Sequence, residues 1–418
     1  MKKLLTLFFT FTFFFVYSTL SLNLGSPVQV AYDSSLSAQI CCPIAQTNKF
    51  NEMLVIWTDS TNALLGSFSK DNGVTWSTSV MTIPATSLSY PFLASNDHGF
   101  LLTFVDSVSN IPSSIFYDSS SGLWDSEVSI DASISANIPV FVTTTPQGFL
   151  ATFMDGGGNG YANLSTDGLT WQPSSKVLFT SADSFSVSSI SGCGNRSLLL
   201  TTWADYSTGN IYVSTSTNGV TWNTPTVISS NSHTGSGDNT SSGCFANKEG
   251  FLIGYIANTS LTWDILSLFS SDGSNWTANS TPIGSSAGIQ RLVPQISGND
   301  SGFVTSWVAY ADPPAYTIVN AYASFSPDGK NWQTPVQFSA PRGAFNPVPL
   351  YYFGTVVQVH NDRCLFSWND ANGNIYVSTS SFPYTPPTPP TPSGSTSVLE
   401  KKWGFTAPVT PNRPGRQF

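Results

Sequence analysis

The chain has 418 residues, of which 15 are Lys or Arg and 24 are Asp or Glu. Charged side chains make up 9% of the sequence, against about 25% in an ordinary soluble domain. So few charges exclude a chain that stays unfolded through charge repulsion, and a net charge of −9 disfavours nucleic-acid binding through a basic surface. The 13% aromatic residues, 32 Gly and 27 Pro favour a large core made of short strands and tight turns.

Residues 1–21 are predicted to be a signal peptide. Two lysines follow Met1, an uncharged apolar run extends from Leu4 to Val16, and small residues follow near Ser21. The apolar run is shorter than the roughly 20 residues that a spanning helix needs. We therefore expect a secreted, cell-surface or periplasmic protein with no transmembrane span after signal removal.

A short motif ending in tryptophan organises the rest of the sequence. The fullest copy is Ser69 to Trp76 (SKDNGVTW), and Asp118 to Trp124 (DSSSGLW) is a degenerate copy. Four further copies are Ser165 to Trp171, Ser216 to Trp222, Ser270 to Trp276 and Ser326 to Trp332. The tryptophans recur roughly every 50 residues, a period typical of propellers and solenoids.

Each repeat also predicts four strands. A turn leads into an apolar run that ends in an aromatic residue, as in Leu198 to Trp203, and an alternating run follows, as in Gly209 to Ser216. The motif and a short strand such as Thr226 to Ile228 complete the repeat. Four strands in about 50 residues correspond to one propeller blade. The prediction is an all-β, seven-bladed β-propeller over residues 22–382.

The ends of the predicted propeller indicate how the ring closes. The last repeat lacks a fourth strand, and Ser26 to Val30 (SPVQV) resembles the fourth-strand segment Thr334 to Phe338 (TPVQF). The N-terminal strand is therefore predicted to complete the last blade. Six blades, with one repeat as an insertion, is the alternative.

The repeated motif resembles the Asp-box, or BNR repeat, of the sialidase-like β-propeller superfamily. In that family the motif forms the turn between strands three and four, away from the active site. The resemblance implies turn-capping residues and tryptophans that pack between blades. These residues are Asp71, Trp76, Asp167, Trp171, Asn218, Trp222, Asp272, Trp276, Asp328 and Trp332.

The residues of a sialidase active site are largely missing. The family holds the substrate carboxylate with three arginines, a role that suits a planar bidentate group, and uses a Tyr–Glu pair and an Asp for the chemistry. The segment closest to the first arginine motif, Ala136 to Pro139, has Asn137 in the arginine position. Arg291 and Arg342 are the cations predicted to reach the expected face, and no Glu is placed to assist a tyrosine. We therefore expect no catalytic residues.

Aspartates recur two residues after the aromatic that ends strand two. They are Asp59, Asp106, Asp155, Asp205 and Asp370. Together with Arg291 and Arg342, these carboxylates are candidate ligand-binding residues, and a structural or ligand-bridging Ca²⁺ is an open alternative. The competing interpretation is that each Asp caps its own hairpin. No other cofactor is expected, and the spacing of Cys and His fits no zinc site.

The five cysteines leave disulfide pairing open. Cys193 and Cys244 are predicted on the inner strands of adjacent blades, and Cys364 lies one blade from Cys41 and Cys42. Their odd number leaves at least one cysteine without an intramolecular partner.

Residues 383–397 form a Pro/Thr/Ser-rich linker, and residues 398–418 form a basic tail predicted to be disordered. The function expected is that of a monomeric recognition module for glycans or proteins at a cell surface, acting through the strand four–one and two–three loops. An exo-alpha-sialidase type of hydrolase and a structural or adhesive surface protein are the alternatives.

Overall fold

The structure is a computed structural model that describes most of the predicted propeller. The described residues are 23–32, 43–48, 50–58, 63–77, 81–84, 88–137, 139–173, 175–183, 185, 187, 189–205, 207–229, 243–258, 263–279, 281–284, 291–310, 319–339, 356–360, 362–369 and 374–382. The chain divides into the units Met1–Tyr384 and Thr385–Phe418. The predicted signal peptide, linker and basic tail, and with them Cys41 and Cys42, lie outside the described residues.

Seven antiparallel sheets of four strands form the blades of a β-propeller. Strand one, the innermost, is Ile44–Thr47, Leu88–Ser95, Phe141–Thr145, Ile190–Gly194, Gly243–Asn247, Arg291–Asn299 and Val356–His360 in blades 1 to 7. Strand two is Met53–Thr58, Gly99–Asp106, Gly148–Met154, Leu199–Asp205, Gly250–Asn258, Gly302–Tyr310 and Arg363–Asn369. Strand three is Leu64–Ser69, Pro112–Asp118, Gly160–Ser165, Asn210–Ser216, Trp263–Ser270, Val319–Ser326 and Asn374–Ser381.

The outer strands are short, and two of them are split. In blades 1 to 6, strand four is Met81–Thr82, Leu123–Trp124 with Val128–Ser129, Lys176–Phe179, Thr226–Ser229, Thr277–Ala278 and Val336–Gln337. In blade 7 the N-terminal strands Asn23–Leu24 and Val28–Tyr32 occupy the outer position. The one helical element among the described residues is a 3₁₀ turn at Ser181–Asp183.

The burial of the strands explains the apolar runs in the sequence. Leu199–Asp205, a second strand, is buried at every position, because the neighbouring blades cover both faces of the sheet's centre. Thr226–Ser229, the outer strand of the same blade, has no fully buried residue. Second strands therefore read as continuous apolar runs, whereas outer strands are short and polar.

The ring closes through the N-terminal strand, as the sequence predicts. Val28 pairs with Val377 and Tyr32 with Asn374 in antiparallel register. The Gly25 amide donates to the Thr379 carbonyl at 2.8 Å, which extends the pairing. Seven blades are therefore confirmed, and the alternative with six blades is wrong.

The repeated motif forms the turn between strands three and four. In blade 3 the Ser165 hydroxyl donates to the Asp167 carboxylate at 3.1 Å, and that carboxylate accepts the amides of Leu169 and Thr170 at 2.9 and 2.7 Å. The same pattern recurs at Asn218, Asp272 and Asp328. In the longer blade 1 copy, Asp71 accepts the Ser69 hydroxyl and the Thr75 amide. Each of these side chains therefore caps its own turn.

Five copies of the motif also pack against the preceding blade. Gly168 has a φ of +80°, and a Cβ there would lie 3.0 Å from Leu101 and 3.2 Å from Phe116 of blade 2. Trp171 belongs to the same apolar cluster as Phe116, and its indole N–H donates to the Ser114 hydroxyl at 2.9 Å. The turn is thus a packing contact between blades as well as a hairpin.

Replacing Gly168 tests this contact. G168A is expected to lower the free energy of unfolding by about 1–3 kcal/mol, because the residue needs a left-handed backbone and has little free space. G156A is the matched control, since a Cβ at Gly156 meets nothing within 4 Å and its φ is not positive. Equal stability of the two variants in urea unfolding would contradict the proposed packing role.

Two cysteines meet across the interface between blades 4 and 5. Buried Cys193 and half-buried Cys244 belong to one apolar cluster on adjacent innermost strands. Burial, together with a hydrogen bond to the Cys193 thiol, raises the pKa of Cys244 well above its usual value. Both are thiols in this structure, as is buried Cys364. The predicted inter-blade disulfide therefore stays a prediction, with both cysteines in one apolar cluster.

Oxidised glutathione, a small disulfide, is expected to join Cys193 to Cys244 by thiol–disulfide exchange. Both thiol hydrogens leave on reduced glutathione, and one S–S bond forms within the protein. Peptide mapping and thiol titration before and after oxidation would measure the pairing. C364S should not alter the Cys193–Cys244 product, whereas C193S should abolish it. A map that shows Cys193 and Cys244 still reduced would contradict this pairing.

Candidate functional site

The propeller has two faces, which carry different sets of turns. We call the side that carries the repeated motifs and the strand one–two turns the motif face. The loop face carries the strand two–three turns and the connections between blades. Asp106 and Asp205 end their second strands at the loop face, and Asp155 directly follows the second strand of blade 3. Asp59, Asp370 and Arg342 lie outside the described residues.

Asp155 is held entirely by its own hairpin. One carboxylate oxygen accepts the amides of Gly157 and Asn159, both at 2.9 Å. The other accepts the Asn159 side-chain amide at 2.7 Å and the Tyr161 hydroxyl at 3.0 Å. Burial alone would raise the pKa of Asp155, but these hydrogen bonds outweigh burial and lower it. Four bonds fill the acceptor positions of a carboxylate, so this residue acts as a cap.

Asp205 and Asp106 differ in how their carboxylate oxygens are hydrogen-bonded. Asp205 is 2% exposed, and its oxygens accept bonds from Ser207 and Thr208. The half-buried Asp106 uses one oxygen to accept the amides of Val108 and Ser109, at 2.7 and 3.0 Å. The Ser109 and Val108 bonds lower the pKa of Asp106 and keep it ionised. Its second carboxylate oxygen retains capacity to accept a ligand hydroxyl.

The loop face of blades 2 to 4 forms one hydrogen-bonded polar surface. The Ala136 amide donates to the Asn110 carbonyl at 2.8 Å, which ties the connection between blades 2 and 3 to the Asp106 hairpin. The Asn137 amide donates to Met154 at 3.1 Å, beside the Asp155 hairpin. The Ser181 amide then donates to the Asn159 side chain at 2.9 Å and continues the network to the next connection. We call these segments (107–111, 131–137, 155–159 and 180–183) the polar surface.

Asp131 is a buried residue that holds this surface in place through hydrogen bonds. It is 7% exposed, and its carboxylate accepts the amides of Ser133 and Ser175 at 3.0 and 2.7 Å. Burial opposes ionisation, but the bonds from Ser133 and Ser175 outweigh burial and lower the pKa of Asp131. The exposed residues above it are small hydroxyl and amide side chains, among them Ser133, Ser135 and Asn137.

The residues expected for sialidase chemistry lie elsewhere. Glu52 and Glu249 lie in strand one–two turns on the motif face, and Glu127 adjoins the split outer strand of blade 2. Arg196 and Arg363 also lie at the motif face. Arg291 begins the innermost strand of blade 6 at the loop face, and its side chain lies outside the described part of the chain. In that part, the loop face carries no Glu.

Sequence reasoning missed a set of stacked aromatic pairs below the loop face. Directly opposite residues on strands two and three stack with centroid distances of 5.7–6.0 Å and interplanar angles of 9–22°. The pairs are Phe153–Tyr161, Trp203–Tyr212, Trp307–Tyr322 and Trp368–Tyr376. The aromatic at the end of strand two was visible in the sequence, but its partner depends on the register of the hairpin.

The described residues bring together no group of three or more His, Cys, Asp or Glu that could hold a metal ion. In the same part of the chain, no helix is long and apolar enough to cross a membrane.

Comparisons with known proteins identify the fold class. No family model matches the sequence, and no curated protein matches it. Solved structures with the same architecture include the BP39L lectin from Burkholderia pseudomallei, with a TM-score of 0.56 and 15% identity, covering 83% of this chain and 96% of the lectin. A polysaccharide lyase, an ulvan lyase, has a TM-score of 0.53 and 9% identity over 84% of this chain and 95% of its own.

A fungal alcohol oxidase in complex with copper also matches, with a TM-score of 0.53 and 10% identity over 87% of this chain and 76% of its own. At these identities the likeness shows the fold alone, and it spans binding and catalytic proteins. The chain is a seven-bladed β-propeller.

Acidification tests the capping of Asp155. Its folded pKa is lowered, so its contribution to stability is complete above the unfolded value of about 4 and is lost as the pH falls through the folded value. D155N is expected to unfold more easily than wild type at pH about 7 and to lose less stability below pH about 4. Urea unfolding across this pH range measures both effects. If the free energy of unfolding of D155N fell with decreasing pH as steeply as that of wild type, the capping role of Asp155 would be contradicted.

Proposed function

We propose that the protein is a secreted recognition module that binds glycans through its loop face without catalysis. The continuous polar surface of blades 2 to 4 carries this proposal. Hydrogen bonds hold its backbone segments together before any ligand arrives, which reduces the ordering cost of binding. The free oxygen of Asp106 and the exposed side chain of Asn137 are the acceptor and donor groups that a sugar's vicinal hydroxyls need.

Two further points support the proposal. The similar folds include a lectin and a polysaccharide lyase. The repeated motif resembles the Asp-box, and the capped turns at Asp71, Asp167, Asp272 and Asp328 have the bonding that such a motif requires. We therefore propose that the chain is a sialidase-like Asp-box propeller that has lost the catalytic residues. Export through residues 1–21 belongs to the same proposal. Arg291, Arg342, Asp59 and Asp370 remain predicted contributors at this face.

Variants of the polar surface test glycan binding. D106N combined with N137A is expected to weaken binding to a glycan array hit by roughly tenfold or more, because a charged acceptor and a donor are lost. D125N changes an exposed carboxylate on the opposite side of blade 2 and serves as the charge-matched control. Binding that survives in the double variant, or no binding to any glycan by wild type, would contradict the loop-face proposal.

The alternative of a hydrolase is tested separately. Purified protein is expected to release no fluorophore from a fluorogenic sialoside, because the described loop face lacks a glutamate to assist a nucleophilic tyrosine. Turnover that exceeds the rate of a heat-denatured sample would overturn the non-catalytic assignment and support the exo-alpha-sialidase type.

A further inference from the structure

The motif face contains a depression of about 600 Å³ between blades 5, 6 and 7. Phe245 and Asn247 on the innermost strand of blade 5 form one side of it. Asp300 and Ser301 in the next blade's strand one–two turn form another, and Asp362 of blade 7 closes the third. A volume of this size falls within the range of about 300–1,000 Å³ that small-molecule pockets occupy.

The walls of the depression are rigid. Asn247 is 6% exposed, its side-chain oxygen accepts the amides of Glu249 and Gly250, and its side-chain nitrogen donates to the Asn299 carbonyl at 2.9 Å. Asp300 accepts the Lys248 amide at 3.2 Å. The turns of blades 5 and 6 are therefore bonded to each other, and their polar groups are fixed before a ligand arrives.

The aromatic wall is fixed as well. The Phe245 ring packs edge to face against Phe303 at a centroid distance of 6.2 Å. A Cβ at Gly298 would lie 3.0 Å from that ring, so the glycine lets the ring sit close to the backbone of blade 6. Phe245 is only half-buried, and its exposed part faces the depression as an apolar surface.

The charged side chains of the depression indicate which class of ligand it can bind. Asp300 and Asp362 are exposed, and no cation of the described residues lies within ion-pairing distance of either carboxylate. The ammonium group of Lys248, whose backbone amide bonds Asp300, lies 3.9 Å from Glu249 instead. Two unpaired carboxylates disfavour an anionic ligand, and they accept hydrogen bonds from hydroxyl groups. Phe245 offers the apolar contact that the C–H face of a sugar ring matches.

We propose that this depression is a second binding site, separate from the loop face, for an oligosaccharide without anionic groups. In this site Asp300, Ser301 and Asp362 bind the hydroxyl groups, and Phe245 contacts the ring face. The proposal does not depend on the polar surface of blades 2 to 4, because the two sites lie on opposite faces and in different blades.

Calorimetric titration of the purified full chain with neutral trisaccharides (cellotriose, maltotriose and chitotriose), a chitosan trimer and tri-galacturonate tests the site. At least one neutral or amine-bearing trisaccharide is expected to bind, and tri-galacturonate is expected not to bind to this site. D300N with D362N should weaken that binding roughly tenfold or more, and F245L should weaken it too. D125N should bind as wild type.

The loop-face variant separates this proposal from the previous one. D106N with N137A should leave the motif-face binding intact, so failure of the loop-face proposal does not affect this result. Wild-type binding unchanged by D300N with D362N, or no binding of any trisaccharide, would overturn the second site. A cation site would replace the second glycan site if two results were found together. Wild type would bind CaCl₂ alone and D300N with D362N would not, and EDTA would abolish saccharide binding.

Hydrogen–deuterium exchange on wild type keeps the test independent of variant folding. Saturation with the bound trisaccharide should slow exchange in peptides that cover 243–250, 298–303 and 360–364. Protection confined to other blades would place the ligand elsewhere and reject the site.

Discussion

Every blade in this propeller depends on burial against its neighbours. A four-stranded sheet with apolar residues on both faces of strand two cannot shield them alone, and the structure covers them with the sheets on either side. Phe149, for example, lies in blade 3 but shares a core cluster with Leu101 and Phe116 of blade 2. A ring is the arrangement that gives every blade two neighbours. The last blade reaches that state by pairing its third strand with Val28–Tyr32.

The repeated motif serves this constraint at five of the interfaces. Its serine and aspartate fold the turn, its glycine permits close approach to the preceding blade, and its tryptophan fills the space between blades. In the last copy, in blade 6, Gly329 has a φ of +72°, and a Cβ there would lie 2.8 Å from Phe269 of blade 5. Trp332 packs with Phe269 and Phe303 in the cluster that joins blades 5 and 6. Recurrence of the motif therefore reflects the recurrence of one interface, and it carries no information on ligand chemistry.

The repeated interface is also the part of the fold that the sequence could predict. Blade number, strand order and closure follow from local patterns that repeat seven times, such as the identical segments 209–216 and 373–380. The candidate site depends on side-chain contacts that differ from blade to blade. Asp155 looks like Asp106 in the sequence, yet Asn159 and Tyr161 fill its acceptor positions while Asp106 keeps one oxygen free. The depression beside Phe245 needs three turns that lie more than 50 residues apart in sequence, and no local pattern marks it.

The motif face carries charges of both signs, including the carboxylates of Asp71, Asp167, Asp272 and Asp328. Among the described side chains, Lys70, Arg196, Lys248, Lys330 and Arg363 all lie at motif-face turns, or directly beside them. The described loop face carries Asp106, Asp131, Asp155, Asp183, Asp205 and Asp264. The hydrogen bonds that lower the pKa of Asp106, Asp131 and Asp155 keep these carboxylates charged at neutral pH. A sialic acid carboxylate approaching blades 2 to 4 would therefore meet like charge, which is repulsive. An uncharged molecule would not meet this repulsion.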